Sequence, residues 1–138
     1  MYRLMRFVFR LDCDGRLDIC IVLDASGSIR NERFPAVLEL VVNVIDQFEV
    51  SPTKTRFAAL KYSDDAVWLF DLDTYTSKQD VKTSIRRTTF IGGKTNTASA
   101  LSMMVGSCKI VDGLVFKPSI MVLWPSIYSI KMYSYDHR

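Results

Sequence analysis

The chain's apolar positions change period several times. Residues 17–23 (LDICIVL) are nearly uninterrupted and rich in β-branched side chains, as expected of a central parallel strand covered on both faces. The run stops at Asp24, and Asp24-Ala25-Ser26-Gly27-Ser28 is a turn-forming cluster. Phe34, Val37, Leu38, Val41, Ile45 and Phe48 then recur at helical spacing, with Pro35 suited to the first turn and Ser51-Pro52 as the stop. Leu40, Val42 and Val44 add apolar positions that imply burial on more than one side of this helix.

Residues 56–62 and 66–70 read as two strands separated only by Ser63-Asp64-Asp65, which is too short for a parallel crossover and predicts a hairpin. Ser77 followed three residues later by Asp80 marks a helix start, with Val81 and Ile85 on one face. After the loop Gly92-Gly93-Lys94-Thr95-Asn96-Thr97, the residues Ala98, Leu101, Met104, Val105 and Cys108 predict a third helix. Residues 119–124 (SIMVLW) predict one more buried strand, while residues 125–138 carry neither a clear period nor helix signals. The order β-α-β-β-α-α-β predicts an α/β fold, a doubly wound, mostly parallel sheet with one antiparallel edge strand and helices on both faces. The chain divides into an extension over residues 1–16, one domain over 17–124 and a tail over 125–138.

Composition narrows the function classes. A length of 138 residues with 49% hydrophobic and 24% charged side chains suits one domain with its own core. A net charge of +3, from 18 basic and 15 acidic residues, provides no concentrated basic face for nucleic acid. Residues 1–11 are broken by Arg3, Arg6 and Arg10, so they lack the uninterrupted apolar stretch of a secretory signal, and no segment is long enough to span a membrane. Cys13, Cys20 and Cys108 match no metal or redox spacing; Cys20 reads as a small buried hydrophobe, and the pairing of Cys13 and Cys108 stays open.

The chemistry-bearing cluster is Asp24, Ser26 and Ser28, a D-x-S-x-S loop directly after the buried strand. It offers one carboxylate and two hydroxyls, hard oxygen ligands that favour Mg²⁺ over zinc. The stretch 18–29 (DICIVLDASGSI) resembles the opening of von Willebrand factor type A domains, including those of integrins, matrilins and collagen VI. Residues 70–75 (FDLDTY) resemble that family's strand exit, and 90–101 (FIGGKTNTASAL) its G-G-x-T-N-T loop and helix start, so the likeness covers roughly residues 17–108. In the family a metal-ion-dependent adhesion site takes an aspartate and two serines of the first loop, a threonine of the second and an aspartate of a third. The resemblance assigns Asp24, Ser26, Ser28 and Thr95 to the first four roles, with Mg²⁺ or Mn²⁺ as the ion. It implies an extracellular adhesion or matrix module whose cation accepts an acidic side chain from a protein partner.

The fifth ligand is missing, because Met121-Val122-Leu123 leads into Trp124-Pro125-Ser126 where the family has T-D-G. Asp112-Gly113 comes too soon after the third helix to replace it. The chain reads as a family member shortened or redirected after about Cys108, and the competing expectation is a structural fragment that binds no metal.

Enzymatic readings fail on spacing. Gly93-Lys94-Thr95 ends like a phosphate-binding loop, but Thr88 stands where that motif needs glycine. Asp71-Leu72-Asp73 lacks the threonine or valine of aspartyl phosphotransferases, since Tyr75 occupies that place. A serine hydrolase would need a G-x-S-x-G elbow and a histidine, and the single one, His137, lies in the tail. Tyr62, Trp68 and Phe70 read as core and hairpin packing, and Arg86-Arg87 as a solvated helix end.

Overall fold

The computed structural model describes residues 17–107, 120–126 and 129–134. Cys13, Cys108, Asp112, Gly113 and His137 lie outside the described residues. Among the described residues eight elements follow in order: β1 (Leu17–Asp24), α1 (Phe34–Ile45), β2 (Thr55–Tyr62), β3 (Ala66–Phe70), α2 (Lys78–Arg86), α3 (Thr97–Ser107), β4 (Ile120–Ser126) and β5 (Ser129–Ser134). They build one sheet in the order β3-β2-β1-β4-β5.

β1 is central and parallel to both neighbours, with Ile19 opposite Phe57 of β2 and opposite Met121 of β4. All eight of its residues are buried, which explains the absence of polar alternation in 17–23. Its side chains divide by parity. Leu17, Ile19, Ile21 and Leu23 join Phe34, Leu38, Val41 and Ile45 of α1 and Val81 and Ile85 of α2 in one core. Cys20 and Val22 join Leu60, Tyr62 and Ala100 in a second, against which Trp68, Met103 and Met104 pack. The helices therefore cover both faces, α1 and α2 on one and α3 on the other. Cys20 is buried, as its apolar context predicts.

β2 and β3 form the expected antiparallel hairpin, with a register shift between Ala59 and Leu60. The tail departs from expectation. Residues 129–134 form β5, which pairs antiparallel with β4 and extends it through Pro125, opposite Ile130. Both sheet edges are thus antiparallel, where the sequence pattern predicts one. Pro125 lies past Leu123, the last β4 residue paired with β1, so it has a strand neighbour on one side only, and the short edge strand β5 carries little periodic signal.

Two further details differ. α1 ends at Ile45, well before Ser51-Pro52, through tightening turns in which the Gln47 amide donates to Val44 O and the Phe48 amide to Ile45 O. Phe48 keeps its core place beyond the helix, edge-on to Phe57 with ring centroids 5.9 Å apart. Of the extra apolar positions on α1, Val42 is buried whereas Leu40 is exposed. Arg86 and Arg87 are exposed at the end of α2, as expected, and Arg86 Nε in addition donates to Glu39 Oε1 at 2.8 Å, joining α2 to α1. At α2's start Ser77 Oγ accepts the Asp80 amide at 3.2 Å and donates to Asp80 Oδ2 at 2.7 Å, the capping predicted from spacing.

At the amino end of β1, Asp18 sits in register with Arg56 of β2. Arg56 Nε and Nη2 donate to the two Asp18 carboxylate oxygens at 2.8 and 2.7 Å, and Nη1 donates to Asp73 Oδ1 at 2.7 Å. This ion-pair network closes the sheet end opposite the loops described next.

Candidate metal centre

The carboxyl end of β1 delivers Asp24 into a turn that its own side chain organises: Asp24 Oδ1 accepts the Ser26 amide at 2.9 Å. The turn lies against β2, since the Ala25 amide donates to Tyr62 O at 2.9 Å. Asp24 and Ser26 are buried, while Ser28 is exposed. The chain leaves toward α1 through Arg30, whose φ of 66° is uncommon for a non-glycine residue.

The loop ahead of α3 meets this turn main chain to main chain. Ala25 O accepts the amides of Gly92 (2.9 Å) and Ile91 (3.3 Å), and the Gly27 amide, between the two serines, donates to Gly93 O at 3.0 Å. Phe90 anchors the loop's start, edge-on to Phe34 of α1 at 5.6 Å. Gly92 and Gly93 have φ of 82° and 81°, the left-handed region in which glycine meets no steric cost. Asn96 caps α3, its Oδ1 accepting the Ser99 amide at 3.1 Å.

These contacts bring three of the four predicted ligand residues together. Ser26 Oγ lies 2.8 Å from Ser28 Oγ and 2.8 Å from Thr95 Oγ1, and Ser28 Oγ lies 3.2 Å from Thr95 Oγ1. Asp24, the fourth, opens the same turn. Six oxygens around Mg²⁺ at 2.0–2.1 Å stand about 2.8–3.0 Å from their nearest neighbours, so two edges of this hydrogen-bonded triangle match an octahedral face and the third, at 3.2 Å, is slightly longer. The donors, one carboxylate and three hydroxyls, suit a hard divalent cation. Among the described residues no group of three or more His, Cys, Asp or Glu forms an alternative metal cluster.

The family model for the von Willebrand factor type A domain matches residues 18–109. The chain belongs to that family. Mouse vitrin is 37% identical over 89 residues, 64% of this chain and 14% of vitrin. The human collagen alpha-6(VI) chain is 35% identical over 85 residues, 62% of this chain and 4% of the collagen. The chain thus spans a small part of these relatives' lengths. Among solved structures, the proximal thread matrix protein 1 of the mussel byssus, with a zinc-occupied MIDAS motif, superposes with a TM-score of 0.68 at 28% identity. That match covers 81% of this chain and 29% of the mussel protein. Manganese-loaded Plasmodium vivax TRAP protein, at 19% identity and a TM-score of 0.63 over 69% of this chain and 40% of its own, shows likeness of fold alone.

Within the type A frame, β4 lies beside β1 as the sheet order requires, and its carboxyl end carries Trp124-Pro125-Ser126 with no aspartate. The sequence predicts the hairpin turn after β2 but not the contacts of that turn with the loop ahead of α3. Asp64 Oδ1 accepts the Lys94 amide at 3.0 Å, Asp64 O accepts Asn96 Nδ2 at 2.9 Å, and Ser63 O accepts the Asn96 amide at 2.8 Å. Ser63-Asp64-Asp65 signals only a turn, and no local pattern announces a partner thirty residues away.

Proposed function

We propose that this chain is a protein-binding module of adhesion or matrix type, in which Asp24, Ser26, Ser28 and Thr95 hold Mg²⁺ or Mn²⁺ that accepts a carboxylate from a partner protein. The observation that carries this reading is the three-hydroxyl triangle beside Asp24, with edges of 2.8, 2.8 and 3.2 Å. The zinc-occupied motif of the mussel relative supports a divalent ion at such a loop pair.

The bound cation would supply positive charge at an open coordination position, and a single anionic ligand leaves that charge little neutralised. Ser26, buried between its two partners, fixes the triangle, while exposed Ser28 and Thr95 keep it open to solvent. Lys94 and Ile91, both exposed on the same loop, would meet the partner around the ion. The collagen and thread-matrix relatives support an extracellular setting. They also favour binding over catalysis. Among the described residues no helix is long and apolar enough to cross a membrane.

One observation favours a second reading, a type A fold that assembles through its surfaces without an ion: the sequence Trp124-Pro125-Ser126 where a further carboxylate would stand. Thermal melting separates the two. With Mn²⁺ or Mg²⁺ at about 100 times its dissociation constant, the wild type should gain about 2.7 kcal/mol over chelator, and Asp24→Ala should gain nothing. Identical wild-type melts with metal and with chelator would leave the second reading standing.

A further inference from the structure

We infer that Asp64, in the turn between β2 and β3, is the positioning residue that sets Thr95 against Ser26 and Ser28. Its side chain touches none of the three hydroxyls in the bonds observed; it acts on the main chain that carries one of them.

Both residues flanking Thr95 are tied to this turn. The Lys94 amide donates to the Asp64 carboxylate at 3.0 Å, and Asn96 is held through its amide to Ser63 O and through Nδ2 to Asp64 O. Thr95 is thus suspended between two fixed points, and its hydroxyl reaches Ser26 at 2.8 Å. On the other side, Gly93 O holds the Gly27 amide between Ser26 and Ser28. The carboxylate also lies close alongside Gly93. A Cβ at position 93 would stand 2.6 Å from Asp64 Oδ2, so glycine there is what lets the carboxylate reach the Lys94 amide. A recess lined by Asp64, Asp65, Lys94, Thr95 and Asn96 opens beside the threonine.

Neighbouring Asp65 supplies a control. Its carbonyl accepts the Ser63 amide within the turn, and no hydrogen bond from its side chain to the Thr95 loop is observed. A simple charge effect at the site would act through either carboxylate, whereas positioning acts only through Asp64. Asparagine at 64 keeps an acceptor oxygen for the Lys94 amide and loses the charge.

The test has two readouts on the full chain, of which only the second rests on the metal-binding reading. In chelator, Asp64→Ala should speed hydrogen exchange of the Lys94 amide about tenfold, the loss of one charge-assisted bond. Asp64→Asn and Asp65→Ala should stay within about threefold of wild type, and β1 amides should be unchanged in all three, which shows that each variant folds. In Mn²⁺ titrations Asp64→Ala should weaken binding about tenfold, with Asp64→Asn and Asp65→Ala close to wild type. Wild-type exchange at Lys94 in Asp64→Ala overturns the inference. So does a loss of Mn²⁺ affinity in Asp64→Asn as large as in Asp64→Ala, which would make the charge itself the active element. A wild type that binds no Mn²⁺, with Lys94 exchange still accelerated in Asp64→Ala, sinks the metal reading and leaves the positioning role in place.

Discussion

Arg56 carries two carboxylate partners that differ in burial, so it tests whether the amino end of the sheet is held by electrostatics or by packing. The Asp18 arm is bidentate and its side chain is 11% exposed, whereas Asp73 makes one bond from a side chain 84% exposed; Arg56 itself is 20% exposed. Removing one member of a buried pair costs about 3–5 kcal/mol, and exposed pairs contribute about 0–1 kcal/mol. Asp18→Asn leaves Arg56 partly solvated and still bonded to Asp73, so the loss should fall between these limits, at about 2 kcal/mol. For a domain of this size that is a fall in Tm of roughly 6–10 °C. Asp73→Asn should cost under about 0.5 kcal/mol, and that cost should vanish in high salt, whereas the Asp18 cost should persist. Urea unfolding and thermal melts followed by circular dichroism, at low and at high sodium chloride, measure both. Equal costs for the two variants, or a cost below about 0.5 kcal/mol for Asp18→Asn, would refute the argument.

Two further outcomes follow from the geometry. In an octahedral shell, oxygens around Ca²⁺ at 2.3–2.6 Å stand about 3.3–3.7 Å apart, wider than the triangle's edges of 2.8, 2.8 and 3.2 Å, so Mn²⁺ and Mg²⁺ should raise Tm more than Ca²⁺ at equal concentration; a larger shift with Ca²⁺ would contradict the proposed hydroxyl face. Hydrogen bonds from Arg86 and Lys82 hold the Glu39 and Asp46 carboxyls below their ordinary values of 4.5 and 3.8. A depressed carboxyl favours the folded state above its ordinary value and loses that contribution as pH falls through the lowered one. Urea midpoints should therefore drop as pH falls below about 4, and Arg86→Met should flatten the part of that acid limb due to Glu39; an unchanged limb would show that the pair contributes nothing measurable.

Much of this architecture is legible along the chain because burial leaves local traces. The unbroken run in β1, the helical spacing of Phe34, Leu38, Val41 and Ile45, and the Ser77–Asp80 cap each encode one element in adjacent residues. The three hydroxyl residues that converge come from two loops with recognisable wording, so they too are legible. What escapes is long-range or weakly periodic. Asp64 looks like any turn aspartate, because its partner is a main-chain amide that carries no sequence signature. Arg86 is solvated as expected, but its pairing with Glu39 of α1, 47 residues away, leaves no local trace. β5 hides in a tail with no clear period, and Phe48 belongs to the core without belonging to the helix whose spacing it shares.

The central place of β1 has a mechanical meaning. Asp24, Ser26 and Ser28 hang from a strand paired on both sides and buried along its whole length. Thr95 hangs from a loop held by a handful of hydrogen bonds, ahead of a helix whose first buried residue is Ala100. Local opening follows such differences in burial and pairing, so the two halves of the site belong to units of unequal strength. Under the proposed function, a pull on a bound partner would be carried into the sheet through the serines and into the less buried loop through the threonine. On that reading the threonine side, with fewer buried contacts behind it, is the side expected to open first.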